Sequence, residues 1–332
     1  MFENLIEVLK NDPRKIVYTE GSDARILESA ARLKKDGFLT PILVGNVDEV
    51  KAAAAKGGFD IEGLEILDPA TYEDMDAMVD EMVALRKGKM SAEDCRAALA
   101  KGNYFGTMLV KMGVADCLLG GATYSTADTV RPALQLVKTK KGAHLVSSCF
   151  IMIRGDETLA MGDCAINIDY QDTVDKEGNV TFTAAQKLAE VAVATAETAK
   201  VFGIDPKVAM LSYSTKGSGK GPNVDLVRNA TEEAKKLAPE LKLDGEMQFD
   251  AAVSPVVGQL KFPGSPVAGY ANTFIFPEIQ SGNIGYKIAA RLGGFAAYGP
   301  ILQGLNAPIN DLSRGCNAEE VYQMSIITAA LK

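Results

Sequence analysis

The chain of 332 residues is long enough for two domains of ordinary size, and its composition, 47% hydrophobic and 23% charged, is that of a folded globular protein. Its 35 Lys and Arg residues against 43 Asp and Glu residues give a formal net charge of −8, which argues against nucleic acid or an acidic membrane surface as a partner. An anionic ligand would therefore have to be met by basic residues gathered at one place.

The first part of the chain alternates short apolar segments with amphipathic ones. Strands are predicted at Lys15–Glu20, Thr40–Gly45, Leu64–Leu67 and Ala115–Gly121. Helices are predicted at Arg25–Lys35, Asp48–Lys56, Tyr72–Lys87, Ser91–Ala100, Tyr104–Met112 and Thr129–Lys138. This alternation is typical of βαβ units built on a mainly parallel sheet.

The alternation is interrupted after Gly142. Leu145–Ile153 and Thr158–Met161 flank a turn and predict an antiparallel hairpin, the best candidate for a domain boundary or a sheet edge. The elements predicted beyond it are helices at Thr183–Phe202, Asn223–Leu237 and Gly285–Leu292, and strands at Lys207–Tyr213, Gln248–Val253, Thr273–Phe276 and Ala296–Leu302.

The stretch from Asn306 to Glu320 combines the features of an anion site. Pro308 and the Asn310-Asp311 pair predict a loop outside regular structure, and Asn317 is a good N-cap for a final helix. The loop would deliver the Ser313 hydroxyl and the Arg314 guanidinium to the helix N-terminus, where unpaired N–H groups favour a phosphate. Glu320 stands at the third helical position, so it is either a capping-box residue or a catalytic carboxylate.

A second anion-friendly turn is the Gly-rich strand end Gly120-Gly121, which leads through Ser125 and Thr126 into the helix predicted at Thr129–Lys138. We expect Arg131 in the first turn of that helix. Because a cation is unfavourable at a helix N-terminus, its placement there, like that of Arg314, suggests a shared anion.

Several other sites are poorly supported. The Gly-rich loop Ser214–Gly221 departs from the Walker pattern, and no G-x-G-x-x-G follows a strand with an acidic residue in the right place. The loop Ser214–Gly221 is therefore either a cradle for another ligand or a plain tight turn. Asp163, Asp169, Asp172 and Asp175 are expected to be a solvated loop rather than a metal site.

The single histidine, His144, excludes a His-rich zinc site and leaves one residue for any Ser-His-Asp triad. Five cysteines without a CxxC pair indicate free thiols in a reducing compartment. No secretory signal is recognisable, and no apolar run approaches the roughly 18 residues of a membrane span, so we expect a cytoplasmic protein. Cys316, beside Arg314 at a helix mouth, could have a depressed pKa, which keeps a covalent acyl-enzyme open.

Six segments together resemble the phosphate acetyltransferase (phosphotransacetylase) family. They span essentially the whole chain, and their order and length make the resemblance specific. They are Tyr104-Phe-Gly-Thr-Met-Leu-Val110, Gly120–Gln135, Ala209–Ser218, Ala271-Asn-Thr-Phe-Ile-Phe-Pro277, Gly282-Asn-Ile-Gly-Tyr-Lys287 and Asn310-Asp-Leu-Ser-Arg-Gly-Cys316.

The resemblance implies an architecture like that of isocitrate and isopropylmalate dehydrogenases, with two three-layer α/β/α domains and the active site in a cleft between them. Domain 1 would comprise residues 1–142 and 300–332, since the C-terminal segment folds back in this family, and domain 2 residues 143–299. The resemblance also implies a homodimer.

The resemblance further implies roles for individual residues. Arg314 would hold the phosphoryl group, and Ser313 would hydrogen-bond the reacting acyl or thiol group. Glu320 stands where the family usually has an Asp that deprotonates the CoA thiol, and the extra methylene strengthens its interpretation as a cap. The candidate substrate-binding and CoA-binding residues are Arg86, Arg131, Ser125 and Thr126, with Lys261, Lys287 and Arg291 where the family's cleft is basic.

The implied reaction is acetyl-CoA plus phosphate to acetyl phosphate plus CoA, through a ternary complex, with CoA as substrate and neither a metal nor a permanently bound cofactor. Three alternatives stay open at the level of the sequence. A phosphate butyryl- or propionyltransferase would differ only in pocket volume. A decarboxylating hydroxy-acid dehydrogenase would require a divalent-metal carboxylate cluster, and a non-catalytic regulator would bind CoA or phosphate without turnover.

Overall fold

The computed structural model describes residues 2–332, and the chain folds as two compact units. The first comprises the chain up to Lys141 together with Leu305–Lys332, and the second comprises Gly142–Gly304. The chain is of the mixed α/β class, as predicted.

The helices and strands are numbered in chain order. The helices are α1 Phe2–Asn11, α2 Ala24–Asp36, α3 Val47–Gly57, α4 Met75–Arg86, α5 Ala92–Leu99, α6 Gly102–Lys111, α7 Thr126–Pro132, α8 Ala184–Val201, α9 Pro222–Leu237, α10 Phe249–Val253, α11 Pro255–Lys261, α12 Ile279–Arg291 and α13 Ala318–Ala330. The strands are β1 Arg14–Tyr18, β2 Leu39–Val44, β3 Glu65–Leu67, β4 Cys117–Gly120, β5 Ser147–Arg154, β6 Glu157–Gly162, β7 Thr173–Val174, β8 Val180–Phe182, β9 Lys207–Leu211, β10 Lys242–Met247, β11 Thr273–Ile275, β12 Ala296–Gln303 and β13 Ile309–Asp311. A π-helical turn, Ala133–Val137, follows α7.

The first unit is built on a five-stranded sheet in the order β13-β4-β1-β2-β3, and every neighbouring pair is parallel. Successive side chains of a strand point to opposite faces of the sheet. In β1, Val17 packs into an apolar cluster with residues of α4, α5 and α6. Tyr18, the next residue, lies 2.6 Å through its hydroxyl from Ser325 Oγ of α13. Helices therefore cover both faces of this sheet.

The second unit contains a six-stranded sheet in the order β10-β9-β11-β6-β5-β12. The four strands from β10 to β6 run parallel, whereas β5 is antiparallel to both β6 and β12. Ala209 and Leu211 of β9 pack with Ala252 of α10, while Val208 and Met210 pack with residues of α8 and α9. The predicted antiparallel hairpin is confirmed as β5 and β6, and helices again cover both faces.

Polar side chains cap the starts of several helices. Asp23 caps α2 by accepting the Arg25 N–H through its side chain, and Asn46 caps α3 in the same way. At α13, Asn317 accepts the Glu320 N–H while Glu320 accepts the Asn317 N–H, which is the predicted capping box. The polar residues at these strand-to-helix junctions thus fix where each helix begins.

One strand prediction is wrong because buried polar residues hid the pattern of the strand that precedes it. Gln248–Val253 was expected to be a strand, but α10 occupies it and the strand β10 precedes it. In β10 the buried residues include Asp244, which pairs with Lys235, and Glu246, which accepts a hydrogen bond from Ser214. A carboxylate can be buried when a partner satisfies it, so the hydrophobic alternation that marks a strand is broken here.

The Asn310-Asp311 pair likewise does not keep the chain irregular, because both residues belong to β13. Asn310 donates from Nδ2 to Thr328 Oγ1 of α13 at 2.9 Å, and the Asp311 carboxylate accepts hydrogen bonds from two threonines. Tertiary partners therefore override the turn preference of Asn and Asp.

The expected position of Arg131 is also wrong. Ser125 is the N-cap of α7, so the helix begins at Thr126 and Arg131 lies in its last turn. A cation is favourable there, and the argument from an unfavourable helix position does not hold for this residue. In the second unit, β12 pairs with β5 as far as Gln303, so this unit continues to Gly304.

Candidate active site

Two loops meet at the carboxyl ends of β4 and β13. These strands are parallel neighbours whose last paired residues are Gly120 and Asp311. The first loop leads from Gly120 to Ser125 and α7, and the second leads from Leu312 to Cys316 and α13. Leu312 N donates to Gly120 O at 2.7 Å, which joins the loops at their bases. In open α/β sheets, ligands bind outside the carboxyl ends of the strands, which is where the two loops lie.

Ser313 and Arg314 occupy an exposed turn in the second loop. Cys316 N donates to Ser313 O at 2.9 Å, and Gly315 N donates to Ser313 Oγ at 3.3 Å, so the serine hydroxyl lies over the turn. Within residues 2–332 the Arg314 guanidinium makes no hydrogen bond and no ion pair. An exposed guanidinium without a protein acceptor is available for a carboxylate or a phosphate.

Glu320 performs the structural task that the sequence predicted. Its Oε2 accepts the Asn317 N–H at 2.9 Å, and its own N–H donates to Asn317 Oδ1 at 2.9 Å. The side chain is exposed at the mouth of α13. One carboxylate oxygen is therefore engaged by the cap, and Oε1 has no partner among the residues described.

A buried carboxylate, Asp311, lies beneath the two loops. Thr126 Oγ1 donates to its Oδ2 at 2.5 Å, and Thr129 Oγ1 donates to its Oδ1 at 2.6 Å. Burial raises the pKa of Asp311 to about 6, with Glu20 contributing in the same direction, while the two threonine hydroxyls act in the opposite direction. Asp311 thus fastens the first turn of α7 to the end of β13.

Glu20, just after β1, holds the first loop from its other side. Its carboxylate accepts the N–H groups of Gly121 at 3.1 Å and Thr123 at 2.8 Å. The hydroxyl of Tyr124 lies 2.6 Å from Thr19 Oγ1, which itself donates to Glu20. Sequence reasoning did not select Glu20 or Asp311, although each stands at the end of a strand beside a candidate loop.

The guanidinium groups of the other candidate arginines of the first unit, Arg131 and Arg86, also make no hydrogen bond or ion pair with residues 2–332. Arg131 is exposed in α7, and among the described residues it makes no hydrogen bond or ion pair. Arg86 ends α4, and its Nε is buried without a hydrogen-bond acceptor in the same part of the chain. A buried unsatisfied donor is uncommon in a folded protein and calls for an explanation such as a bound ion or water.

The candidate basic residues of the second unit differ in their surroundings. Lys261 is already paired, since its Nζ lies 2.7 Å from Asp250 Oδ2 and 2.9 Å from Gln248 Oε1. The Lys287 ammonium lies 5.8 Å from the centroid of the Tyr286 ring. Arg291 is exposed in the last turn of α12. Lys261 would have to exchange these partners to bind a phosphate.

Cys316 does not have the environment of a nucleophile. It is 7% exposed, and its sulfur lies 3.6 Å from Arg25 Nη1. Burial raises the pKa of the Cys316 thiol above its usual value, although Arg25 acts in the opposite direction. The expectation of a depressed pKa was therefore wrong, because burial outweighs the nearby arginine.

The Gly-rich loop Ser214–Gly221 is filled by a carboxylate of the chain itself. Glu246 Oε1 accepts from Ser214 Oγ at 2.9 Å and from the Gly217 N–H at 2.8 Å. Glu246 is 2% exposed, so its negative charge occupies part of the cradle that a phosphate would need. This favours the interpretation of the segment as a tight structural turn.

Asp163 corrects the expectation of a solvated acidic loop. It is 1% exposed, and its carboxylate accepts the N–H groups of Ala165, Ile166 and Asn167 at 2.9 to 3.2 Å. It is a buried structural acceptor.

No three His, Cys, Asp or Glu side chains within residues 2–332 are grouped as metal ligands. None of the helices in that part of the chain is long and apolar enough to cross a bilayer.

These features define a class of protein: an α/β protein with a candidate anion site where the loops after two parallel strands meet near a helix N-terminus. The family model described as Phosphate acetyl/butaryl transferase matches residues 1–329. The chain belongs to this family, and the resemblance drawn from its six motifs is confirmed.

Individual relatives agree with this assignment. The Phosphate acetyltransferase of Bacillus subtilis (strain 168) is 52% identical over 332 residues, which covers 99% of this chain and 98% of the relative. A Phosphotransacetylase from Streptococcus pyogenes has a TM-score of 0.93 at 55% identity, covering 99% of this chain and 97% of that one. The EutD phosphotransacetylase from Staphylococcus aureus has a TM-score of 0.88 at 48% identity, covering 99% and 98%.

The raised pKa of Asp311 predicts a pH dependence of stability. An acid with a higher pKa in the folded state binds more protons there than in the unfolded state, so the stability falls as pH rises from about 4 to about 6. The pKa shift from 3.8 to about 6 corresponds to a change of about 3 kcal/mol in the unfolding free energy. Asp311→Asn removes the ionisable group and with it this pH dependence of the unfolding free energy. As pH rises from about 4 to about 6, wild type should therefore lose stability relative to the variant.

Urea unfolding of both proteins at several pH values between 4 and 7.5 measures this difference. Asp80→Asn, an exposed carboxylate of α4, is the matched control and should follow wild type throughout. Parallel stability curves for wild type and Asp311→Asn would contradict the prediction.

Proposed function

We propose that the protein catalyses the interconversion of acetyl-CoA and phosphate with acetyl phosphate and CoA. Membership of the family makes it an acyltransferase, and the relatives at about 50% identity are named as phosphate acetyltransferases. The single structural observation that carries the proposal is the Arg314 guanidinium, which lies beside Ser313 at the N-terminus of α13 and has no partner within residues 2–332. A guanidinium and a helix N-terminus together form a favourable site for a phosphoryl group.

The phosphoryl group would bind to Arg314, with support from the backbone at the start of α13. Arg131 and Arg86 belong to the same unit and have no protein acceptors among the described residues, which supports their assignment to the phosphates of CoA. Ser125 and Thr126 line the neighbouring loop. We assign Lys261, Lys287 and Arg291 to CoA as well, with Lys261 exchanging Asp250 for a phosphate.

The chemistry would proceed in a ternary complex. Glu320, through Oε1 or a water that it orients, takes the proton of the CoA thiol. The thiolate attacks the acetyl carbonyl of acetyl phosphate, and the Ser313 hydroxyl donates a hydrogen bond to the developing oxyanion. The carbon–oxygen bond to phosphate then breaks, and Arg314 stabilises the departing dianion. The buried Cys316 takes no part, so no acyl-enzyme forms.

The acetyl group is favoured over longer acyl groups by the names of the relatives at about 50% identity. The branched-chain phosphotransacylase from Enterococcus faecalis V583 shares the fold, with a TM-score of 0.64 at 19% identity and coverage of 96% of this chain and 100% of that one. Comparison of acetyl-, propionyl- and butyryl-CoA in an arsenate-dependent assay decides the acyl range. Absence of turnover by pure protein would favour a non-catalytic regulator.

Further features of the proposal concern the setting of the enzyme. The five cysteines are all free and buried, which supports a cytoplasmic location. We propose CoA as a substrate rather than a permanently bound cofactor. We also propose that the two units are the two domains of a dehydrogenase-like architecture, with the C-terminal segment completing domain 1.

A homodimer is proposed on an apolar surface of the second unit, here termed the α11/α12 surface. Leu260 and Val256 of α11 are each 80% exposed, and Leu292 after α12 is 86% exposed. Phe249, Val253 and Ile288 are also exposed, and they line one cavity of about 660 Å³. Exposed apolar side chains grouped in this way mark protein interfaces, and a second copy would bury them.

Arg314→Ala should lower kcat/KM by about 10²- to 10³-fold, because the group that meets developing negative charge is lost. The rate of thioester formation from acetyl phosphate and CoA measures this effect. Arg228→Ala, an exposed arginine of α9 paired with Asp225, is the control and should remain near wild type. Normal activity of Arg314→Ala would exclude the proposed phosphoryl site.

Glu320→Gln separates the base from the cap, since a glutamine can still accept the Asn317 N–H but cannot take a proton. The variant should keep its melting temperature while kcat falls by about 10²- to 10⁴-fold. Glu320→Asp, which retains a carboxylate, should keep more activity than Glu320→Gln. A near-normal kcat for Glu320→Gln would assign Glu320 to the cap alone.

Leu260→Asp combined with Leu292→Asp should convert the dimer to a monomer, because each substitution places a charge where about 1.5–3 kcal/mol of apolar burial is expected. Light scattering after gel filtration measures the molar mass. Leu237→Asp, at an exposed leucine that ends α9 in the same unit, is the control and should leave the mass unchanged. An unchanged mass for the double variant would place the interface elsewhere.

A further inference from the structure

One side chain, Arg25 in the first turn of α2, joins the two loops of the candidate active site. Its Nη2 donates to Ala122 O of the first loop at 2.9 Å. Its Nη1 donates to Arg314 O at 2.9 Å and to Cys316 O at 3.1 Å in the second loop. The residue is therefore hydrogen-bonded to both loops at once, although sequence reasoning did not select it.

Asp23, the N-cap of α2, fixes the guanidinium in this orientation. Arg25 Nε donates to Asp23 Oδ1 at 2.9 Å, and Nη2 donates to Oδ2 at 2.8 Å, which is a bidentate pair. The neighbouring guanidinium holds the pKa of Asp23 below its usual value, so the pair remains charged. The five N–H groups of an arginine are thereby all supplied with acceptors.

Two of the three carbonyl groups that Arg25 binds, those of Arg314 and Cys316, belong to peptide groups whose N–H also makes a hydrogen bond. In a trans peptide the C=O of one residue and the N–H of the next point in opposite directions. The N–H that follows the Arg314 carbonyl is that of Gly315, which donates to Ser313 Oγ. The N–H that follows the Cys316 carbonyl is that of Asn317, which donates to Glu320 Oε2. Arg25 thus holds the peptide groups that contact Ser313 and Glu320.

We propose that Arg25 is a positioning residue, which orients the peptide groups after Arg314 and Cys316 so that Ser313, Arg314 and Glu320 face the substrate together. It touches neither reacting group and acts through the backbone of the second loop. The inference rests on the proposed function of that loop. The positioning role depends on the geometry of the Arg25 side chain, because one planar guanidinium must reach three carbonyl groups and a carboxylate at once.

Lysine cannot meet this requirement. Its ammonium carries three donors on a single nitrogen and cannot form the planar bidentate pair with Asp23 while reaching both loops. Arg25→Lys preserves the positive charge and the aliphatic part of the side chain. It therefore removes the arrangement of hydrogen bonds while leaving most of the electrostatic interaction in place. It is therefore the informative substitution, and Arg25→Ala serves as a more severe comparison.

The test compares Arg25→Lys with Arg32→Lys, a partly exposed arginine of the same helix that pairs with Glu319. Loss of two or more charge-assisted hydrogen bonds should lower kcat/KM of Arg25→Lys by about ten- to a hundredfold. Arg32→Lys should remain near wild type. Hydrogen exchange of the amides from Leu312 to Asn317 should quicken in Arg25→Lys and not in Arg32→Lys.

A double-mutant cycle with Ser313→Ala distinguishes positioning from a general loss of stability. If Arg25 acts through this loop, Arg25→Lys should have a much smaller effect in the Ser313→Ala background than in wild type. Effects that multiply independently would overturn the proposal, as would unchanged kinetics of Arg25→Lys. A lowered melting temperature with normal activity of the folded fraction would also overturn it, since the role would then be structural.

The outcomes also separate this inference from the proposed function. If Arg314→Ala and Ser313→Ala lose activity while Arg25→Lys does not, the site stands and the positioning role fails. If wild type itself has no transferase activity, the proposed function fails, and the exchange measurement still reports whether Arg25 orders the loop.

Discussion

The pairing of β13 with β4 is the constraint on which the site depends. Asp311 is matched with Gly120, so two segments separated by most of the chain end at the same sheet edge. The loops that follow carry Ser125 and Thr126 on one side and Ser313 and Arg314 on the other. A parallel pair of strands cannot be closed by a tight hairpin, so a long connection must return the chain to the sheet. Here the whole second unit, Gly142–Gly304, lies within that connection.

The loops are held by buried and half-buried charged groups rather than by apolar packing. Asp311 binds two threonines of α7, Glu20 binds the N–H groups of the first loop, and Arg25 binds the carbonyls of both loops. Burial of each charge costs free energy, and that cost is offset only when its hydrogen bonds are satisfied in one geometry. A hydrophobic contact would tolerate small shifts of the loops. The hydrogen bonds of these charged groups instead fix the position of the backbone that carries Ser313 and Arg314.

Sequence reasoning succeeded where local chemistry decides the outcome. The capping box of Asn317 and Glu320 and the alternation of the first unit are encoded within a few residues. It failed at Asp311 and at Asp244, because the partners that permit a buried carboxylate come from distant parts of the chain, Thr126 and Lys235 in these cases. Arg131 was misplaced because Ser125, not a later residue, caps α7. Arg25 could not be recognised, since its acceptors in the two loops are main-chain carbonyls, which carry no sequence signature.

In the proposed mechanism, Glu320 serves both the helix and the reaction. A negative charge is favourable at a helix N-terminus, which suits a carboxylate in the capping position. In the proposed ternary complex, a phosphoryl dianion bound to Arg314 would bring a second negative charge to the same helix mouth. The Asn317 N–H keeps Oε2 of Glu320 in place, and Oε1, which has no partner among residues 2–332, would be the oxygen that receives the thiol proton. The cap would thereby hold the base at the helix mouth while the phosphoryl group binds, without occupying the oxygen that the reaction needs.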